Sequence, residues 1–244
     1  MAQRGRKHHG GSNYNSYRVA ICRPRLSRAS LSIVDPTHCH KIGSVSIPSR
    51  PGETMTIHRI RVLGDPILRT RCEPIAKPGS AAVRVVVDDL RETLRDFQSR
   101  FGFGRGIAAP QIGAPVRVVY VEMDKPWPLI NPEILDVGNE DFTVWDDCFS
   151  FPALLVRVSR AYRIKVRYQD LKGNWHTDEL EGDRAELLQH EIDHLDGVLA
   201  VDRPHGLDPF CLREEWNRQH AEERRYGDPE PRSASYATAH ASLI

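Results

Sequence analysis

Gln189-His190-Glu191-Ile192-Asp193-His194-Leu195-Asp196-Gly197 is the stretch on which the reading of this chain turns. It contains His-Glu-x-x-His, two imidazoles four residues apart with a carboxylate between them. On a helix, positions i and i+4 share a face, so His190 and His194 can both reach one metal ion. Glu191 sits beside that face, placed to take a proton from a water at the metal as general base. The neighbouring residues favour a helix: Asp183 as its N-cap, Ala185, Leu187 and Leu188 as good formers, Gly197 as its end. A solvated helix with two unrelated histidines would match the same short pattern. The surrounding chain has to decide.

The 244 residues suffice for one domain with tails. A hydrophobic fraction of 40% allows a sizeable core, while a mean hydropathy of -0.48 keeps part of the chain wet. With 34 basic and 33 acidic residues the net charge is +1, which gives no case for direct nucleic-acid binding. No apolar run approaches the roughly 18 residues of a membrane span. Cys22, Cys39, Cys72, Cys148 and Cys211 are odd in number and scattered, a pattern of reduced thiols with a metal ligand among them more than of a disulfide framework.

Residues 1–54 read differently from the rest. The first 50 carry nine basic side chains and one acid, Asp35, among many serines. Such a segment is expected to be disordered, whether it is an organellar transit peptide, a tail, or sequence ahead of a true start at Met55. His38-Cys39-His40 within it is a weak metal candidate. The folded part is expected from Ile57–Val62, an alternating run, followed by a turn at Gly64-Asp65-Pro66. A helix should open at Ser80, bury Val83, Val86, Val87, Leu90, Leu94 and Phe97 along one stripe, and stop near Gly102. Strands are expected at Val116–Val121, Pro128–Pro132, Leu154–Val158 and Ile164–Tyr168, with a hairpin turn at Lys172-Gly173-Asn174 leading to Trp175. A last amphipathic stretch near Phe210–Arg225 reads as helical, and beyond Gly227 a loose tail follows. Strands between two helices argue an α+β fold with mostly antiparallel pairing around the His-Glu-x-x-His helix.

Three signatures stand in one order: Gly104-x-Gly106-x-Ala108-Ala109-x-Gln111, then Asp146-Asp147-Cys148-Phe149-Ser150, then His190-Glu191-x-x-His194. Together they resemble the peptide deformylases, metallohydrolases that remove the formyl group from N-formylmethionyl chains. Gly64-Asp65-Pro66-Ile67-Leu68-Arg69 and Leu129-Ile130-Asn131-Pro132 add to the likeness, which covers about residues 56–205. The resemblance implies Cys148, His190 and His194 as ligands of one divalent metal, with a position left open as in catalytic sites. Iron(II) is expected first, and zinc, cobalt or nickel suit the same donors. It further implies Glu191 as general acid and base, and the Gln111 side chain and Phe149 backbone N–H as donors to a tetrahedral intermediate. Gly104 and Gly106 would let the backbone approach the substrate closely. Arg105, Asp146, Asp183, Glu186 and Leu187 complete the expected substrate contacts.

The chain also departs from the family pattern. The second motif normally reads Glu-Gly-Cys-Leu-Ser, so Asp147 puts a side chain beside the cysteine. Arg105 stands where an aliphatic residue is usual, and Asp183 and Glu186 occupy positions that are generally apolar around the methionine pocket. A buried unpaired carboxylate is costly, so these acids need solvent or a partner, with Arg105, Arg157 and Arg184 as candidates.

The expected organisation is a disordered or transit-like extension over 1–54, a deformylase-like domain over 55–226 and a tail over 227–244. The expected substrate is an N-formylated peptide or nascent chain, with the ribosome as an associated partner, in a monomer or homodimer. The compartment would be the cytoplasm, or a mitochondrion or plastid if the extension is a transit peptide. The alternatives are hydrolysis of another formylated or acylated amine and a non-catalytic peptide-binding relative. A zinc endopeptidase fits less well, because the spacing to His205 does not follow the extended motif.

Overall fold

The computed structural model describes residues 56–219, from the first residues of the expected domain to a short C-terminal helix. The expected extension, the His38-Cys39-His40 triplet and the C-terminal tail lie outside the described residues. Helix α1 (Ala81–Phe101) begins where Ser80 accepts a hydrogen bond from the Val83 N–H and ends at Gly102. Its stripe from Val83 to Phe97 is buried as the spacing predicts. Strands β1 (Gly106–Ala108), β2 (Val118–Glu122), β3 (Pro126–Val137), β6 (Arg163–Gln169) and β7 (Trp175–Glu181) make an antiparallel sheet in the order β1-β2-β3-β6-β7. A second antiparallel sheet joins β4 (Asp141–Asp147), β5 (Leu154–Ala161) and β8 (Phe210–Leu212) in the order β4-β5-β8. Helix α2 (Gly182–Leu195) carries the His-Glu-x-x-His pattern, and α3 (Arg213–Gln219) follows β8. The architecture is α+β.

Packing explains why β2 reads as an unbroken apolar run. Val118 and Tyr120 face one way, into a cluster with Leu90, Leu94 and Phe97 of α1. Val119 and Val121 face the other way, into a cluster with Leu188, Ile192 and Leu195 of α2. With a helix on each face, a strand needs no polar side. A third cluster, built on Val144, Val156, Val158, Leu68 and Leu199, backs the smaller sheet and includes Cys148. Helix α2 lies among these clusters, and ten of its fourteen residues are buried, His190, Glu191 and His194 among them.

Several expectations change at the level of elements. Residues 57–62 form no strand; the Arg61 N–H donates to Gln111 O and the His58 N–H to Thr93 Oγ1, so the segment is tied to the core by single bonds rather than a ladder. The strand expected over Pro128–Pro132 runs from Pro126 to Val137. Its prolines are tolerated because β6 pairs only from Ile130 onward and the register shifts between Ile130 and Glu133, so no continuous ladder needs a proline N–H. Asn131, at φ 51°, turns its side-chain amide onto Ile75 and Gln169 at that irregularity. Helix α2 starts directly from β7, with Glu181 rather than Asp183 at its N-cap. The expected C-terminal helix begins only at Arg213, after β8, because Phe210, Cys211 and Leu212 pair with β5; its continuation toward Arg225 lies outside the described residues.

Candidate metal centre

The side chains of Cys148, His190 and His194 meet in the interior. Their donor atoms lie within 4.8 Å of one another and all three residues are buried. His194 Nε2 is 3.2 Å from His190 Nε2 and 3.2 Å from Cys148 Sγ. The two histidines come from one face of α2, one turn apart, while Cys148 follows the end of β4. Two imidazoles and one sulfur turned toward a common point are a donor set for a divalent transition metal. The residues fit the group.

What stands behind the ligands supports the same reading. Asp146 Oδ1 lies 2.8 Å from His190 Nδ1, which directs Nε2 toward the sulfur. The other Asp146 oxygen takes a 2.8 Å bond from Arg160 Nη2, and Arg160 Nη1 donates to Asp193 at 2.6 Å. Arg203 closes the chain with two bonds to Asp193. Burial alone would raise the Asp146 carboxyl and lower His190; His190 and Arg160 together hold Asp146 below the carboxylate range, and Asp146, with Cys148, holds His190 well above the usual imidazole value. Burial, reinforced by the neighbouring His190, pushes His194 well below it. The sulfur is addressed by two further donors, Ser150 N–H at 3.4 Å and Gln111 Nε2 at 3.5 Å.

Glu191 is 3% exposed and its Oε2 has no hydrogen-bond partner among the described residues. Burial raises its carboxyl to about 7, against the lowering pull of His190. A carboxyl that can both take and give a proton near neutrality, beside a metal site, is equipped for general acid–base work. Gln111, on a short 3-10 turn after β1, accepts a 2.9 Å bond from the Ala108 N–H, which turns its Nε2 toward Cys148 and Ser150. Two glycines make room for these groups. A Cβ on Gly106 would lie 2.8 Å from Glu191 Oε1, and one on Gly104, at φ +122°, would lie 2.3 Å from the Phe149 ring. The glycines expected to admit substrate thus also admit the protein's own Glu191 carboxyl and the Phe149 side chain.

The polypeptide deformylase family model matches residues 57–209. The chain belongs to that family. The peptide deformylase of Thermotoga neapolitana is 40% identical over 148 residues, 60% of this chain and 87% of the relative. The crystal structure of the Thermotoga maritima peptide deformylase superposes with a TM-score of 0.58 at 39% identity, covering 62% of this chain and 99% of that one. A Met-Ala-Ser-bound peptide deformylase from Acinetobacter baumannii gives 0.57 at 29% identity, over 62% and 99% respectively. As a deformylase-family member the protein is a hydrolase, of a family that uses a divalent metal.

Against that deformylase frame, the sequence candidates fall into two groups. Gly104, Arg105, Gly106, Gln111, Phe149, Glu186, Leu187 and Glu191 line one cavity with Cys148 and His190. Asp146, expected as a substrate contact, also borders it, and its two oxygens are engaged by His190 Nδ1 and Arg160 Nη2. Asp183 sits outside that lining, with its side chain about one-third exposed. Of the partners considered for the acids, Arg105 takes Glu186, whereas Arg184 turns to Asp124. Asp147, beside the cysteine, is met by Arg213 at 2.9 Å. That arginine also donates to Pro152 O and stacks over Phe103.

Arg160, Asp193, Arg203 and Arg213 were not among the sequence candidates. The one available signal was Arg160 at the inward parity of Val156 and Val158 on β5, where a buried cation demands a partner.

Proposed function

We propose that this protein hydrolyses the N-formyl amide of a peptide or nascent chain, releasing formate and a free amino terminus. The observation that carries the reading is the unpartnered Oε2 of Glu191 within the cavity that holds Cys148 and His190. A divalent metal held by Cys148, His190 and His194, with iron(II) the first choice and zinc, cobalt or nickel alternatives, would supply Lewis acidity to the formyl oxygen and to water. Glu191 accepts a proton from the attacking water as its oxygen bonds to the formyl carbon. Gln111 Nε2 and the Phe149 N–H donate to the oxygen that gains charge in the tetrahedral intermediate. The C–N bond then breaks, and Glu191 returns the proton to the departing amine. The ledger balances: one water is consumed, and one formate and one amine are formed.

The ribosome is the expected source of such chains, and the cytoplasm, or an organelle that starts synthesis on formylmethionine, the expected compartment. The test is formate release from formyl-Met-Ala-Ser by the full chain, purified anaerobically and assayed for metal content. One metal per chain and formate equimolar with new amine support the reading. Bound metal without formate from any formylated peptide would favour a different acyl amide, and a chain that takes up no metal would favour a non-catalytic binder.

A further inference from the structure

Cys148 and Phe149 sit where the strand ladder has run out. Strand β4 ends at Asp147 and β5 begins at Leu154, so residues 148–153 form the turn of that hairpin. The turn has bonds of its own, from the Phe151 N–H to Cys148 O and from the Leu154 N–H to Phe151 O. One more reaches it from outside, from the Leu63 N–H to Ser150 O. His190 and His194, by contrast, ride on one buried helix. Of the three donor residues, Cys148 is the one placed by a turn.

Arg213 spans that turn. Its Nη2 donates to Asp147 Oδ2 at 2.9 Å, its Nε to Pro152 O at 2.6 Å, and its backbone N–H to Ala153 O at 2.8 Å. A guanidinium is a rigid planar fork, so two acceptors on one fork keep a fixed separation. Here the two acceptors stand at either end of the turn, with Cys148 between them. Arg213 is itself held in place. It is buried, its guanidinium lies 4.5 Å over the Phe103 ring, and Leu212 just before it pairs with Leu154 of β5. Phe103 in turn meets the Phe149 ring edge-on at 6.1 Å. Asp147 stands where the family pattern has glycine, and Arg213 lies beyond the family match, which ends at residue 209. A glycine offers no carboxylate, so the clasp from Asp147 to Arg213 goes with this chain's departure from the pattern.

We propose that Arg213 is a positioning residue for the metal ligand Cys148: by holding both ends of the 148–153 turn it keeps the sulfur in the donor set and slows loss of the metal. The inference rests on Cys148, His190 and His194 holding a divalent metal, as read above.

The experiment loads the full chain with cobalt(II), whose near-ultraviolet absorption reports its bond to a thiolate, and times its loss to excess EDTA. Arg213→Met keeps much of the stem over Phe103 and removes the donors. It should lose cobalt about 10- to 100-fold faster than the wild type, with the thiolate band shifted or weakened before any EDTA is added. Arg213→Lys keeps the charge without the fork and should lose cobalt nearly as fast. Asp147→Ala removes one end of the clasp and should also speed the loss, and the Asp147→Ala, Arg213→Met double variant should be no faster than Arg213→Met alone. Val83→Ala, at the opposite end of α1 from Phe97, controls for general destabilisation and should leave both rate and band at wild-type values. Wild-type retention by Arg213→Met or Arg213→Lys overturns the inference. So do additive effects in the double variant, or an equal acceleration in Val83→Ala. If Arg213→Met does not fold, Arg213→Lys and Asp147→Ala carry the test, and wild-type rates in both overturn it. A wild type that takes up no cobalt removes the metal reading and this inference with it; one that holds cobalt regardless of Arg213 removes this inference alone.

Discussion

The two walls of the cavity are built on opposite plans. On the metal side, the ligand His190 is backed by a defined chain: Asp146 behind it, Arg160 behind Asp146, then Asp193 and Arg203. Each charge there has its partner within the protein, while Glu191 Oε2, like Arg160 Nε and His194 Nδ1, has no hydrogen-bond partner among the described residues; under the proposed function, Glu191 Oε2 is the atom that carries the proton. On the substrate side, Arg105 and Glu186 form a charged pair, and Asp147 is tied to Arg213 from beyond the family match. The difference teaches that the groups proposed for the chemistry and the charged pairs of the facing wall are held by separate residues.

The metal side should be the least tolerant of change. Cys148→Ala removes the thiolate from a three-donor set, so metal content should fall to background and formate release with it; metal analysis after purification checks this. Retained stoichiometric metal would break the assignment of Cys148 as a ligand. Arg160→Met should come next. It leaves Asp146 and Asp193 without their shared buried cation, and such a loss costs about 3–5 kcal/mol. Chemical denaturation should therefore find the variant much less stable, and a loss below about 1 kcal/mol would say that the network is not load-sharing.

On the other wall, Arg213→Ala gives up a bond to Asp147, one to the Pro152 carbonyl and the stacking on Phe103. The expected loss is about 1–3 kcal/mol by the same measurement, with turnover per bound metal retained. Loss of turnover at full metal content would mean that the Arg213 clasp belongs to the chemistry. The smallest effect is expected far from both walls. Arg163→Ala breaks an exposed pair with Glu181 on the β6–β7 hairpin and should change stability by less than about 0.5 kcal/mol.

The same contrast explains what the sequence could tell. His190, Glu191 and His194 are close in the chain, and their spacing is a helical period, so their common face was legible without a fold. Helix α1 was legible for the same reason, from the Ser80 cap through the Val83–Phe97 stripe to Gly102. Cys148 and Gln111 entered only through the family resemblance, since nothing local links them to a helix more than thirty residues away. Strand β4 escaped notice because one of its inward positions is Asp146, which breaks the apolar alternation that marks a half-buried strand. The expected strand over 57–62 fails from the opposite side: the alternation is present, but no strand among the described residues pairs with it. Asp146 itself was expected among the substrate contacts, because its position two residues before the cysteine does not say which way the side chain points. The register of β4 against β5, Asp146 opposite Val156, is a long-range fact of the fold.

The most direct test of the account is formate release by Glu191→Gln at measured metal content. Glutamine keeps the shape of the side chain and removes its capacity to carry a proton. The account predicts one metal per chain, as in the wild type, with turnover of every formylated peptide reduced by about 100- to 10,000-fold. Wild-type turnover at full metal content would contradict it, because the proton would then move without Glu191 Oε2, the buried carboxyl oxygen of the site left without a hydrogen-bond partner among the described residues.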